Sequence, residues 1–147
     1  MTIAWTELTV FEFPKQTAAE APWIMALEWL ATTTHLKITA EGSWKVANSA
    51  IPSCGPNGLS GLVTAADQLI LPGVPFGALI GKLGGSTISH AVRADAAVLA
   101  AEDPFAIGSF CILKPPDGNN GPLFLGFNAL ARPIQVATLK VAISAPK

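Results

Sequence analysis

Hydrophobic and polar residues alternate along this chain in short runs cut by Gly, Pro and Asn, the pattern of strands rather than helices. "TIAWTELTVFEF" sets Ile3, Trp5 and Glu7 against Ala4, Thr6 and Leu8. "HLKITAEGSW" is cleaner: Leu36, Ile38 and Ala40 fall on one face, and His35, Lys37, Thr39 and Glu41 on the other. "PFAIGSFCIL", "PLFLGFN" and "ATLKVAIS" each have strand length and turn-like flanks, and the last puts Leu139, Val141 and Ile143 on one side. An all-β sandwich follows, with Leu36, Ile38, Ala40, Leu79, Leu83, Leu125, Leu139, Val141 and Ile143 as its core.

Two segments resist this pattern. Thr17 and Glu20 stand at capping-box spacing ahead of an apolar run, but Pro22 would remove a helical hydrogen bond, so Trp23–Leu30 is expected to be extended rather than helical. The Ala-rich stretch 89–102 has the composition of a short helix or folded loop inserted between strands. A third segment, "PFGALIGKLGG", is apolar yet rich in glycine. As a strand it puts Gly77, Leu79, Gly81 and Leu83 on one face, and glycines at such positions imply the close approach of a ring or a bulge. Trp23, Trp29 and Trp44 are the rings upstream.

Composition narrows the function classes. A chain of 147 residues supports one core, divided here into an N-terminal arm or edge strand (1–13) and a sandwich (14–147). Only 13% of residues are charged and the net charge is −1, so there is no basic stripe to follow a phosphate backbone. No run reaches the ~20 apolar residues of a membrane-spanning helix, and "MTIAWTELTVFEF" lacks the basic start of a secretory signal, which makes a cytoplasmic address the expectation. Two cysteines, Cys54 and Cys111, make no disulfide framework, and whether they pair stays open.

The succession "HLKITAEGSW", "CGPNG", "PFGALIGKLGG", "FAIGSF" and "GPLFLGFN" resembles the galactophilic lectins of the PA-I type (LecA-like), over roughly residues 23–143. The resemblance implies a galactose-binding-like jelly-roll sandwich of two mostly antiparallel sheets. It also implies a calcium loop after the last of these motifs, but here that loop reads "FNALARPIQVATLKV". Asn128 matches, whereas Ala129 stands where the family has an acidic ligand, and no Asn-Asn pair follows. Calcium needs six to eight oxygens, so no metal or other cofactor is expected. The family's sugar-contacting His after "GPNG" is missing; Gln68 is present.

"PPDGNNG" (115–121) has oxygen-rich side chains but not the spacing of a calcium loop, and its place between two strand patterns predicts a hairpin turn. His35 and His90 lie far apart in sequence with no nucleophile at a telling spacing, and a Cys54–His35 dyad is not required by anything in the chain, so no catalytic role is expected. What remains is binding. Low charge, positive mean hydropathy and four tryptophans point to a docking subunit that contacts other protein chains or itself through Trp5, Phe11, Phe13, Val92 and Leu99. The alternative is a calcium-independent glycan-binding module using Trp44, Asn48, Asn57, Gln68 and Asn128.

Overall fold

The computed structural model describes residues 4–14, 16–17, 23–28, 35–59, 69–84, 104–115, 122–129 and 134–146. Among these there is no helix. Nine strands form two antiparallel sheets: β1 (Trp5–Glu12), β2 (Gln16–Thr17), β3 (Trp23–Leu27), β4 (Leu36–Val46), β5 (Leu79–Leu83), β6 (Phe105–Ala106), β7 (Phe110–Leu113), β8 (Leu123–Phe127) and β9 (Ile134–Pro146). Sheet A has the order β1-β9-β4-β7, with β2 also on β9, and sheet B the order β3-β8-β5-β6. The pairings are nested: β5 with β6, β4 with β7, β3 with β8 and β1 with β9. Each outer pair therefore encloses the one before it in sequence.

The core lies between the sheets, because alternation turns one side of each strand inward. Leu36, Ile38, Leu139, Val141 and Ile143 of sheet A are buried against Leu79, Leu83, Leu123, Leu125 and Phe127 of sheet B. Ala40, expected in the core, is partly buried and packs against its margin. The extended reading of the segment after Pro22 holds for β3, and β1 is the edge strand of sheet A, in register with β9 from Trp5↔Pro146 to Glu12↔Lys140.

The glycines of "PFGALIGKL" do admit rings, by two different routes. Gly77 is not in a strand; it sits in the turn before β5 with φ +83°, and a Cβ there would fall 2.1 Å from Trp44 Cζ2. Gly81 is in β5, where a Cβ would meet Ile107 Cδ1 at 2.8 Å and the Phe105 ring at 3.0 Å. The Trp44 ring that Gly77 admits packs on Phe127, with centroids 4.5 Å apart, and on Phe76 at 6.4 Å.

Three expectations need correction or lie elsewhere. "PFAIGSFCIL" is two strands: the chain turns at Gly108, φ +66°, passing from β6 in sheet B to β7 in sheet A. The strands on either side of "PPDGNNG", β7 of sheet A and β8 of sheet B, do not pair and so form no hairpin; residues 116–121 themselves lie outside the described residues. Local turn chemistry could not show this, since a hairpin and a crossing use the same turn residues. The Ala-rich stretch 89–102 lies outside the described residues.

Candidate interaction face

The two sheets differ in what covers them. The centre of sheet B is buried on both sides, since every residue of β5 and β8 is buried, while β3 at its edge leaves Met25 exposed. Its outer side carries a second apolar cluster, Trp23, Ile80 and Phe124 under Ile70, with Leu71 and Val74 against it. Lys82 is enclosed there too, its Nζ 5.1 Å from the Trp23 ring centroid and 5.3 Å from that of Phe124. The Asn128 side chain, fully buried, pins the covering loop. Its Nδ2 donates to the carbonyls of Leu71 (2.9 Å), Val74 (3.0 Å) and Pro75 (3.3 Å), and its Oδ1 accepts from the Leu71 amide at 2.7 Å.

The outer side of sheet A is open. Register aligns its side chains in rows across all four strands. The central row is Val10, Ala142, Thr39 and Phe110. On one side of it runs Glu7, Ser144, Lys37 and Ile112, with Ser144 buried among its neighbours, and on the other Glu12, Lys140 and Glu41. Phe110 is 60% exposed, and Val10 and Ile112 49% each. Between Val10, Thr39, Ala142, Glu41 and Lys140 lies a shallow groove of about 280 Å³. Lys140 reaches Glu12 at 3.5 Å, and the Lys37 ammonium stands 4.9 Å above the Trp5 ring. Apolar side chains thus occupy the middle of this face, and charges of both signs its margins.

The residues expected at an interface are distributed differently. Phe11 and Phe13 turn inward: their rings meet edge-on at 5.2 Å, and Phe13 packs on Phe127 at 5.1 Å. Alternation along β1 leaves Val10, not its aromatic neighbours, facing out. Trp5 is partly buried under Lys37, and Val92 and Leu99 lie outside the described residues. Phe110 and Ile112 were missed in sequence because "PFAIGSFCIL" read as one strand hides the change of sheet that exposes its second half, and Val10 because the larger Phe11 and Phe13 beside it drew the interface reading. The signal that could have found them is Gly108 followed by the alternation Phe110-Cys111-Ile112-Leu113.

The residues expected to hold a glycan do not converge. Trp44, 2% exposed, offers no ring face to stack a sugar on, and its buried Nε1 has no hydrogen-bond partner among the described residues. Asn128 is committed to the loop it pins. Asn57 is exposed and braces the change of sheet, accepting from the Ser109 amide at 2.9 Å and donating to Ser109 Oγ at 3.2 Å. Asn48 is an exposed turn residue with φ +53°, and Gln68 lies outside the described residues. Asn128 Oδ1 is already used by Leu71 and Ala129 has no side-chain oxygen, so melting curves with millimolar calcium and with a chelator are expected to superimpose.

Both cysteines are free. Cys54 bridges the far half of β4, its backbone exchanging hydrogen bonds of 2.9 Å with Trp44, whereas His35 precedes the near end of that strand. Nine extended residues separate Trp44 from His35, roughly 30 Å, so no dyad forms. Burial pushes the Cys54 thiol from 9.0 up to about 11, and raises Cys111 as well. The neutral thiol is thus the form the fold prefers. Below pH 9 folded and unfolded chains both hold the proton; between 9.0 and about 11 the unfolded chain releases it first, so stability falls as pH rises through that window. At pH 8 Cys54 is expected to react with a thiol reagent far more slowly in the native protein than in urea, and equal rates would place it at the surface.

Among the described residues no group of three His, Cys, Asp or Glu could hold a metal ion, and no helix is long and apolar enough to cross a membrane. Comparison with models of protein families finds no match, and comparison with curated proteins finds none either.

Proposed function

We propose that this chain is a non-catalytic docking subunit built on a jelly-roll sandwich, and that the outer face of sheet A is its contact surface. The observation that carries the reading is the contrast between the sheets: the chain covers the centre of sheet B with its own loop, leaving only Met25 exposed at the edge strand β3, whereas Val10, Phe110 and Ile112 lie bare together on sheet A. The jelly-roll part is supported by the nesting of the four strand pairs, in which the outermost strands of the sequence meet side by side and each sheet takes alternate members. The fold part of the lectin resemblance is compatible with this arrangement, since Trp44, Gly77 and Phe127 from three of its motifs meet in one cluster.

A photo-crosslinking residue at position 112 tests the reading, with the same residue at Asn48, exposed but away from the rows, as control. Adducts with protein at 112 and none at 48, in extracts of cells that make the chain, are the expected result. Absence of adducts at 112 sinks it.

A further inference from the structure

Three features outside the core invite a partner: the free edge of β1, a groove of about 480 Å³ at the far end of sheet A, and the rows themselves. The edge is blunted by a bulge at Leu8 and by two glutamates, Glu7 and Glu12, which discourage strand addition. The groove has a mostly apolar lining, and its polar residues Ser43, Lys45, Ser53 and Gln135 are exposed or half-buried, so nothing in it fixes a ligand. The rows carry more, because their residues are complementary to themselves.

We infer that the occupant of the sheet A face is a second copy of this chain, packed face to face about a two-fold axis that runs along the strands between β9 and β4. Such an axis lays β1-β9-β4-β7 over β7-β4-β9-β1 and keeps each row at its own height. Val10 then faces Phe110 of the second copy, joining the two most exposed anchors of the central row at both ends of the interface. Lys140 faces Glu41, twice. Ala142 faces Thr39, small on small, which lets the sheets approach at the centre; Lys37 faces Ser144, and Glu7 faces Ile112. No carboxylate meets a carboxylate and no lysine a lysine. Aligned sheets cross at about 30°, so the pairs near the axis superpose best, and these include Lys140–Glu41.

Size agrees with this reading. At ~16 Å² of sheet per residue, the four strands present roughly 570 Å², and a dimer would bury about twice that, at the low end of specific interfaces. An area of this size fits a reversible dimer rather than an obligate pair.

The inference rests on the docking reading, and a charge-swap experiment separates the two. Glu41→Lys and Lys140→Glu variants of the full chain are prepared singly and analysed by sedimentation velocity, alone and mixed. Wild type is expected to dimerise. Each single variant brings like charges together at two places and should weaken the dimer by roughly tenfold or more. Mixing the two variants restores Lys–Glu pairs at both places and should restore the dimer to wild-type strength, above that of either variant alone; circular dichroism on each confirms the fold. A two-fold in which position 41 meets position 140 makes the mixture about as tight as wild type, whereas one in which like positions meet would make it tighter than wild type, where Glu would face Glu and Lys face Lys. A wild-type chain that stays monomeric at hundreds of micromolar, or a mixture that dimerises no better than its components, overturns the inference. If crosslinks at position 112 still form with a different protein, the docking face stands and the second copy is not its partner.

Discussion

Gly77→Ala is expected to destabilise the fold by about 3 kcal/mol or more, among the largest effects of any single methyl group in this chain. Two costs combine. An L-residue at φ +83° carries strain of about 1–2 kcal/mol, and the added Cβ lies 2.1 Å from Trp44 Cζ2 and 2.5 Å from Cη2, where the ring is held by Phe127 and Phe76 and cannot withdraw. Gly73 separates the two terms: its φ is +86°, yet nothing lies within 4 Å of a Cβ there. Gly73→Ala should therefore show only the backbone term. Shortening the ring in the Gly77→Ala background, with Trp44→Leu, should recover part of the loss, so that a double-mutant cycle by urea unfolding gives a coupling above about 1 kcal/mol. Equal losses for Gly73→Ala and Gly77→Ala would mean that the ring does not occupy the space the glycine leaves.

Asn128→Ala should cost about 3–5 kcal/mol, because it leaves three carbonyls and one amide of the covering loop without their partner while removing little apolar contact. The loss should be local before it is global. Amide exchange is expected to rise first at Leu71, whose N–H loses its acceptor, and then along β5 and β8, which that loop shields. Asn128→Asp is the sharper variant. It keeps the acceptor for Leu71 but turns the donating nitrogen into an oxygen facing three carbonyls, so it should be no better than alanine at neutral pH. A loss below about 1 kcal/mol for both variants would show that the loop is held by its apolar residues alone.

Alternation made β4 and β9 legible, because each has one face in the core and one turned outward, and their inward residues follow a period of two that breaks once in β9, at the bulge between Val136 and Thr138. It was less informative for β5 and β8, which are buried on both faces and so show apolar residues without a period. The glycines supplied what the period lacked, since a glycine in an apolar run marks close approach whichever element holds it. What stayed out of reach was the assignment of strands to sheets. Nothing local in "PFAIGSFCIL" says that its halves pair with different strands, and that assignment decides whether Phe110 is core or surface. The aromatic residues drew attention to Phe11, Phe13 and Trp44 as binding residues for a related reason: side-chain size signals energy, but only register tells which side of the sheet the energy is spent on.

The nested pairing of the strands has a consequence for how the chain acquires its shape. The strand between β1 and β4 is β9, so among the described residues β1 has no neighbour in sheet A until a strand more than a hundred residues later has been made. The β5–β6 and β4–β7 pairs enclose the shorter loops and can form while the remainder is still emerging from the ribosome. Closing the sandwich then requires the two ends of the chain to find one another, with a loop of well over a hundred residues brought together for the β1–β9 contact. Such long-range closure places folding in the slow range typical of all-β topologies, milliseconds to seconds. During that interval β4 exposes a free edge and an uncovered apolar flank, and a chaperone able to shield them would act at the step where β9 inserts.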